Sequence, residues 1–127
     1  KGNAWAMSQT SPAVILFRTE GITPKEFGEN TANIIYPTGK DGNIVYACLK
    51  MPRNWVIDAL EVYNATALAN CKKRLTPDLD NGYATLTGGY GHSLIRKIEK
   101  TVDGHAIYQD TNNSTNDFYE ADNCSLR

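Results

Sequence analysis

The chain is poor in the residues that usually announce a chemistry. It has three cysteines (Cys48, Cys71 and Cys124) and two histidines in 127 residues. Three cysteines are too few for a disulfide framework, and their spacing matches no zinc knuckle. One disulfide with a free thiol and three buried thiols fit the count equally well, so the redox compartment stays open. No apolar run approaches the ~20 residues that span a bilayer. Neither sign of charge dominates, with 13 Lys and Arg against 14 Asp and Glu. This balance argues against nucleic acid as a partner, because a basic face dominates phosphate binding. The one basic run, Lys72-Lys73-Arg74, reads as a solvated turn or a charged guard on a strand edge. His92-Ser93 lacks a Gly-x-Ser-x-Gly elbow, and Gly88-Gly89-Tyr90-Gly91 does not join a strand to a helix. Hydrolase and phosphate-cradle chemistries are thereby excluded. The sequence calls for no enzyme and no cofactor.

What is present is strand-like patterning. A length of 127 residues suits one domain with a core of its own. Ala13-Val14-Ile15-Leu16-Phe17 is a continuous apolar run, the mark of a strand buried on both faces. Thr23, Pro24 and Glu26 have capping-box spacing and predict one short helix, which Gly28 cuts to a turn or two. Asn33–Tyr36 and Asn43–Leu49 flank a Gly-rich polar turn and predict a hairpin. Trp55–Asn64 is a long strand whose Trp55 belongs to the core. Asn81-Gly82 predicts a turn at positive φ before a strand at Tyr83–Leu86. A last hairpin joins Ser93–Ile98 to Ala106–Gln109 across Asp103-Gly104. Strands at roughly ten-residue intervals, separated by turn chemistry, predict an antiparallel sandwich.

Three segments carry a family resemblance: Asn54-Trp55-Val56-Ile57-Asp58-Ala59-Leu60, Gly91 to Arg96, and Asp110-Thr111-Asn112-Asn113-Ser114-Thr115-Asn116-Asp117-Phe118. The first resembles the strand of lamin-tail domains in which a hydrophobic pair precedes an Asp. The second resembles their Gly-x-Ser-Leu-x-Arg strand, and the third their closing Asp-x-x-Asn-x-x-x-Asp-Phe loop. Pro52 to Ala59, Leu79 to Tyr83 and Gln109 to Phe118 together are closer still to an uncharacterised family of Bacteroidetes lipoproteins. The resemblance covers residues 10–127 and implies an all-β, immunoglobulin-like (lamin-tail-like) sandwich. It also implies an exported, lipid-anchored protein at the periplasm or outer-membrane surface. No enzymatic activity comes with it.

The opening strands of lamin-tail domains have no counterpart here. Residues 1–127 therefore read as a single β-sandwich domain, the C-terminal part of a longer chain. The missing strands are expected either from another polypeptide or precursor segment, or from the Ile34–Leu49 hairpin standing in for them. The function expected is non-catalytic binding or scaffolding through protein–protein contact, with no membrane span. The alternative is a glycan-binding module with a structural cation.

Candidate site residues follow from these readings. Tyr83 and Tyr90 flank loops, where exposed aromatics can stack on sugar rings, and His92 adjoins them. Asp110, Asn112 and Asp117 place oxygen ligands in one loop, as a calcium site would. The preferred reading of the same loop is an Asx-rich turn that closes with Phe118 in the core. Asp58, inside an apolar strand, calls for a partner such as Arg96. On the expected hairpin, residues opposite one another sum to about 205, which sets His92 and His105 about 26 Å apart. That distance excludes a shared metal.

Overall fold

The structure, a computed structural model, describes residues 12–36, 47–87 and 91–123. Among them lie nine strands and two short helices. They are β1 (Ala13–Phe17), α1 (Pro24–Glu29), β2 (Ile34–Ile35), β3 (Cys48–Leu49), β4 (Val56–Asn64) and β5 (Ala84–Leu86). The rest are β6 (Ser93–Arg96), β7 (Ile98–Val102), β8 (His105–Tyr108), α2 (Ser114–Asp117) and β9 (Phe118–Ala121). The protein is all-β in character. No helix of the described residues is long and apolar enough to cross a membrane.

The chain divides into two compact units, Leu16–Asp58 and the remainder. In the smaller unit the capping box forms as its spacing predicts. Thr23 Oγ1 accepts the Glu26 amide at 3.2 Å, and Glu26 Oε2 accepts the Thr23 amide at 2.9 Å. Pro24 follows at the first helical position, where its missing N–H costs nothing. α1 buries Phe27 edge-on against Trp55, with ring centroids 4.9 Å apart. Trp55 is half-buried in a one-turn 3-10 segment rather than in the core of a strand. The predicted hairpin is present as β2 and β3, which pair Ile34 with Leu49 and Ile35 with Cys48. Its connecting turn lies outside the described residues.

The larger unit buries Ala59, Val62, Tyr63, Leu75 and Ala84. β4 lies between β1 and β5, and its amide at Val62 donates to Pro12 O at 3.0 Å. Two sequence expectations fail along this sheet. β1 is exposed from Val14 to Phe17, not buried on both faces. β5 runs parallel to β4, with Val62 opposite Ala84 and Asn64 opposite Leu86. The arrangement is therefore mixed rather than purely antiparallel. The residues between β4 and β5 leave room for a crossover, which a tight antiparallel turn does not need.

The C-terminal hairpin also differs from expectation. β6 pairs antiparallel with β9, Leu94 opposite Glu120 and Arg96 opposite Phe118. β8 pairs instead with β7, so that Val102 faces His105 and Ile98 faces Tyr108, with a register irregularity between Ile98 and Lys100. The turn does fall at Asp103-Gly104, both residues at positive φ (49° and 79°), as a two-residue hairpin requires. The 26 Å separation expected for the histidines assumed one continuous hairpin, and that premise is overturned. Lys97 is where the chain changes partner: its amide donates to Asp117 O, and its carbonyl accepts the Gln109 amide.

Candidate functional site

Three carboxylates are almost completely withdrawn from solvent: Glu61 at 0%, Asp80 at 1% and Asp117 at 2% exposure. Burying a charge costs several kcal/mol unless donors surround it, and each of the three is surrounded. Asp80 Oδ2 accepts the Glu61 amide at 2.9 Å and the Ser114 hydroxyl at 2.6 Å. Its Oδ1 accepts the Gly82 and Ser114 amides, both at 2.9 Å. Four donors thus tie β4, the 78–82 turn and the start of α2 to one side chain. Burial pushes the Asp80 carboxyl upward, but the Ser114, Gly82 and Glu61 bonds outweigh it and hold the group below its ordinary range.

Asp117 repeats the device within the 109–117 loop. Its oxygens accept the Thr111 amide (2.9 Å), the Thr111 hydroxyl (2.9 Å), the Asn113 amide (3.2 Å) and Gln109 Nε2 (3.1 Å). Burial again raises this carboxyl, and the Thr111, Asn113 and Gln109 bonds bring it below the usual carboxylate range. Asn113 caps α2 by accepting the Thr115 amide at 3.1 Å. Asn112 takes φ 56°, a left-handed value that Asn tolerates, and sends its Nδ2 to Pro77 O at 3.3 Å.

Glu61 completes the set. Its Oε2 is 2.7 Å from Lys73 Nζ and accepts the Leu75 amide at 3.2 Å, while Oε1 accepts the Arg74 amide. Lys73 also donates to Gly82 O. The basic run is therefore not wholly solvated. Lys72 and Arg74 are exposed, but Lys73 reaches back to the buried acid. Gly82 is glycine because of approach rather than φ, since a β-carbon there would lie 1.9 Å from Asn113 Oδ1 and 2.8 Å from Thr115 Oγ1. The expectation of positive φ at this turn is corrected accordingly.

Asp110, Asn112 and Asp117 each have partners of their own, and no group of three or more His, Cys, Asp or Glu that could hold a metal ion occurs among the described residues. Asp110 is largely exposed and 3.8 Å from Arg96 Nη1, Asn112 serves Pro77, and Asp117 faces inward to its four donors. Arg96 donates to Gln109 O at 2.9 Å and stacks over the Phe118 ring at 4.7 Å. Phe118 is half-buried rather than deep in the core. Asp58 is half-buried too; the fully buried acid of β4 is Glu61. Glu61 alternates with buried Ala59 and Tyr63 along β4, a face that the sequence alone does not mark as inward.

Tyr83 stacks on buried Tyr63, with centroids 4.1 Å apart and planes 9° from parallel. Its main chain is pinned by Thr115 Oγ1, which accepts the Tyr83 amide and donates to the Tyr83 carbonyl. Beside it lies an open groove of about 230 Å³, lined by Tyr83, Thr85, Leu94, Phe118, Tyr119 and Glu120 among others. His92 adjoins the far side of Glu120, with Nδ1 3.0 Å from Oε1, and Glu120 also accepts the Thr87 amide and hydroxyl. Tyr90 lies outside the described residues.

The described residues are all-β in character, and three buried acids act in them as structural fasteners. The chain belongs to the protein family of unknown function DUF4876, whose profile matches residues 1–125. No curated protein and no solved structure matches it.

Proposed function

We propose that the chain is a non-catalytic, lamin-tail-like sandwich module of an exported, lipid-anchored cell-envelope protein, working through protein–protein contact. The sandwich and the envelope location rest on the motifs at Asn54–Leu60, Gly91–Arg96 and Asp110–Phe118. The contact function rests on one structural observation. The β7–β8 hairpin exposes Ile98, Val102, Ile107 and Tyr108 to solvent. Its two strands have no third neighbour among the described residues. The non-catalytic reading is supported by the three buried acids, Glu61, Asp80 and Asp117, whose oxygens accept donors from the main chain and from Lys73, Ser114, Thr111 and Gln109.

Capture from an envelope extract tests the contact reading, with Ile98→Lys/Tyr108→Lys as the comparator. An identified protein held by the chain and lost with the variant supports it; identical retention by both contradicts it. Palmitate labelling of the native product tests the anchor, and an unlabelled cytoplasmic product contradicts that part.

The alternative, a glycan-binding module, is favoured by the groove beside Tyr83. Tyr63 fixes the plane of that ring from one side, so little conformational freedom is lost on stacking a sugar. The groove is smaller than the ~300–1,000 Å³ of drug-sized sites, which suits a single ring. Retention on a glycan array that disappears with Tyr83→Ala supports this reading; no retention across the array ends it.

A further inference from the structure

The two edges of the β7–β8 hairpin are not alike. β7 carries Glu99 and Lys100, charged residues of the kind that keep an edge strand from recruiting another chain. β8 reads His105-Ala106-Ile107-Tyr108, with no carboxylate, no lysine and no proline. A two-stranded hairpin is marginal in water, yet this one extends from its base with all but Ala106 of its strand residues exposed.

We infer that the outer edge of β8 pairs antiparallel with the β8 of a second copy, joining two hairpins into one four-stranded sheet. The cross-strand partners fix which residues share a face. Ile98 with Tyr108 and Thr101 with Ala106 lie on one face; Lys100 with Ile107 and Val102 with His105 lie on the other. A two-fold axis perpendicular to the sheet keeps each face on its own side, so opposed residues must come from the same set. Two registers satisfy this while opposing three residues of each β8. One sets Ala106 against itself and His105 against Ile107. The other sets Ile107 against itself and Ala106 against Tyr108, so that every opposed pair within β8 is apolar and His105 falls opposite Gln109 just beyond it, and this is the register inferred. Neither places like charges opposite one another, the arrangement that would destabilise the pair. Pairing through Glu99 and Lys100 on β7 has no such freedom.

Two four-residue strands bury much less than the ~1,200–2,000 Å² of a stable interface. The dimer is therefore weak and dissociates on dilution, with half-association between micromolar and millimolar chain. The inference deepens the protein-contact reading by naming the partner. A monomer would remove the second copy, whereas the capture experiment with Ile98→Lys/Tyr108→Lys judges contact with other proteins separately.

Sedimentation velocity across that concentration range is the test, on the full chain, Ile107→Lys and Thr101→Lys, with circular dichroism to verify the fold. The unsubstituted chain is expected to rise toward twice the monomer mass. Ile107→Lys stays monomeric, and Thr101→Lys, on the guarded strand, associates like the unsubstituted chain. A constant monomer mass overturns the inference, as does association that Ile107→Lys leaves intact. Should Ile107→Lys misfold, amide exchange on the unsubstituted chain decides. Slowing of the 105–108 amides at high concentration supports pairing; unchanged exchange there overturns it.

Discussion

The 109–117 loop and the 98–108 hairpin are neighbours in sequence and opposites in construction. The loop has little regular structure, one four-residue helix, yet its Asp117 is buried and accepts four donors, and its Ser114 gives two more to buried Asp80. The hairpin is regular secondary structure, yet almost every side chain in it is exposed. Regularity and rigidity are thus separate properties here. The loop is held by long-range bonds from side chains to main chain, such as Asp80 to Ser114, 34 residues apart in sequence. The hairpin is held by its own ladder and by a turn that suits it. A segment that many partners fasten is suited to positioning; a segment with open edges is suited to contact.

Removing the central fastener should separate the two regions most sharply. Asp80→Ala leaves four donors without their acceptor, two of them from Ser114, and is expected to cost about 3–5 kcal/mol, since each stranded buried donor costs ~1 kcal/mol or more. Chemical denaturation measures this. A loss below about 1 kcal/mol would mean that the network contributes little.

Gly82→Ala comes next. Its new methyl group must displace the Asn113 cap and the Thr115 hydroxyl that pins Tyr83, at an expected cost of about 1–3 kcal/mol. A neutral result would show that the loop relaxes freely and would erase the contrast.

Acid should act on the same region. Asp80 and Asp117 both have folded-state carboxyls below their ordinary range. The unfolded chain therefore binds protons first, near the ordinary Asp value of ~3.9. The stabilisation is complete above that value and fades as pH falls from there toward the lower folded values. Asp117→Asn should flatten the pH dependence of stability in that window while leaving its course near neutrality unchanged. A slope as steep as that of the unsubstituted chain would assign the effect to other groups.

The smallest effect is expected on the hairpin. Val102 is 47% exposed, and Val102→Thr, which keeps the β-branch, should change stability by less than ~0.5 kcal/mol. A loss above about 1 kcal/mol would show that this face is packed rather than open.

What the sequence made legible was local. The Thr23–Glu26 capping box, the Asp103-Gly104 turn, the β2–β3 hairpin and the loop's Asx chemistry each follow from a few adjacent residues. What escaped was non-local. Whether Ser93–Arg96 pairs with 106–109 or with 118–121 turns on Lys97, where the ladder changes partner, and no residue type announces that. β5 runs parallel to β4 because of how the intervening chain crosses, which Tyr83–Leu86 does not encode. Glu61 was passed over because Asp58 is the acid of the recognisable motif. The inward face of β4 becomes visible only once Ala59 and Tyr63 are known to be buried, and Lys73 looked like a surface charge until its partner was placed.

Amide hydrogen exchange resolved by residue, on dilute chain, tests the contrast most directly. The amides of Thr111, Asn113 and Ser114, bonded to Asp117 and Asp80, are expected to exchange among the slowest, with the β4 core. The amides along β7 and β8 should exchange far sooner. A 109–117 loop that exchanges as fast as the hairpin, or faster, would contradict it.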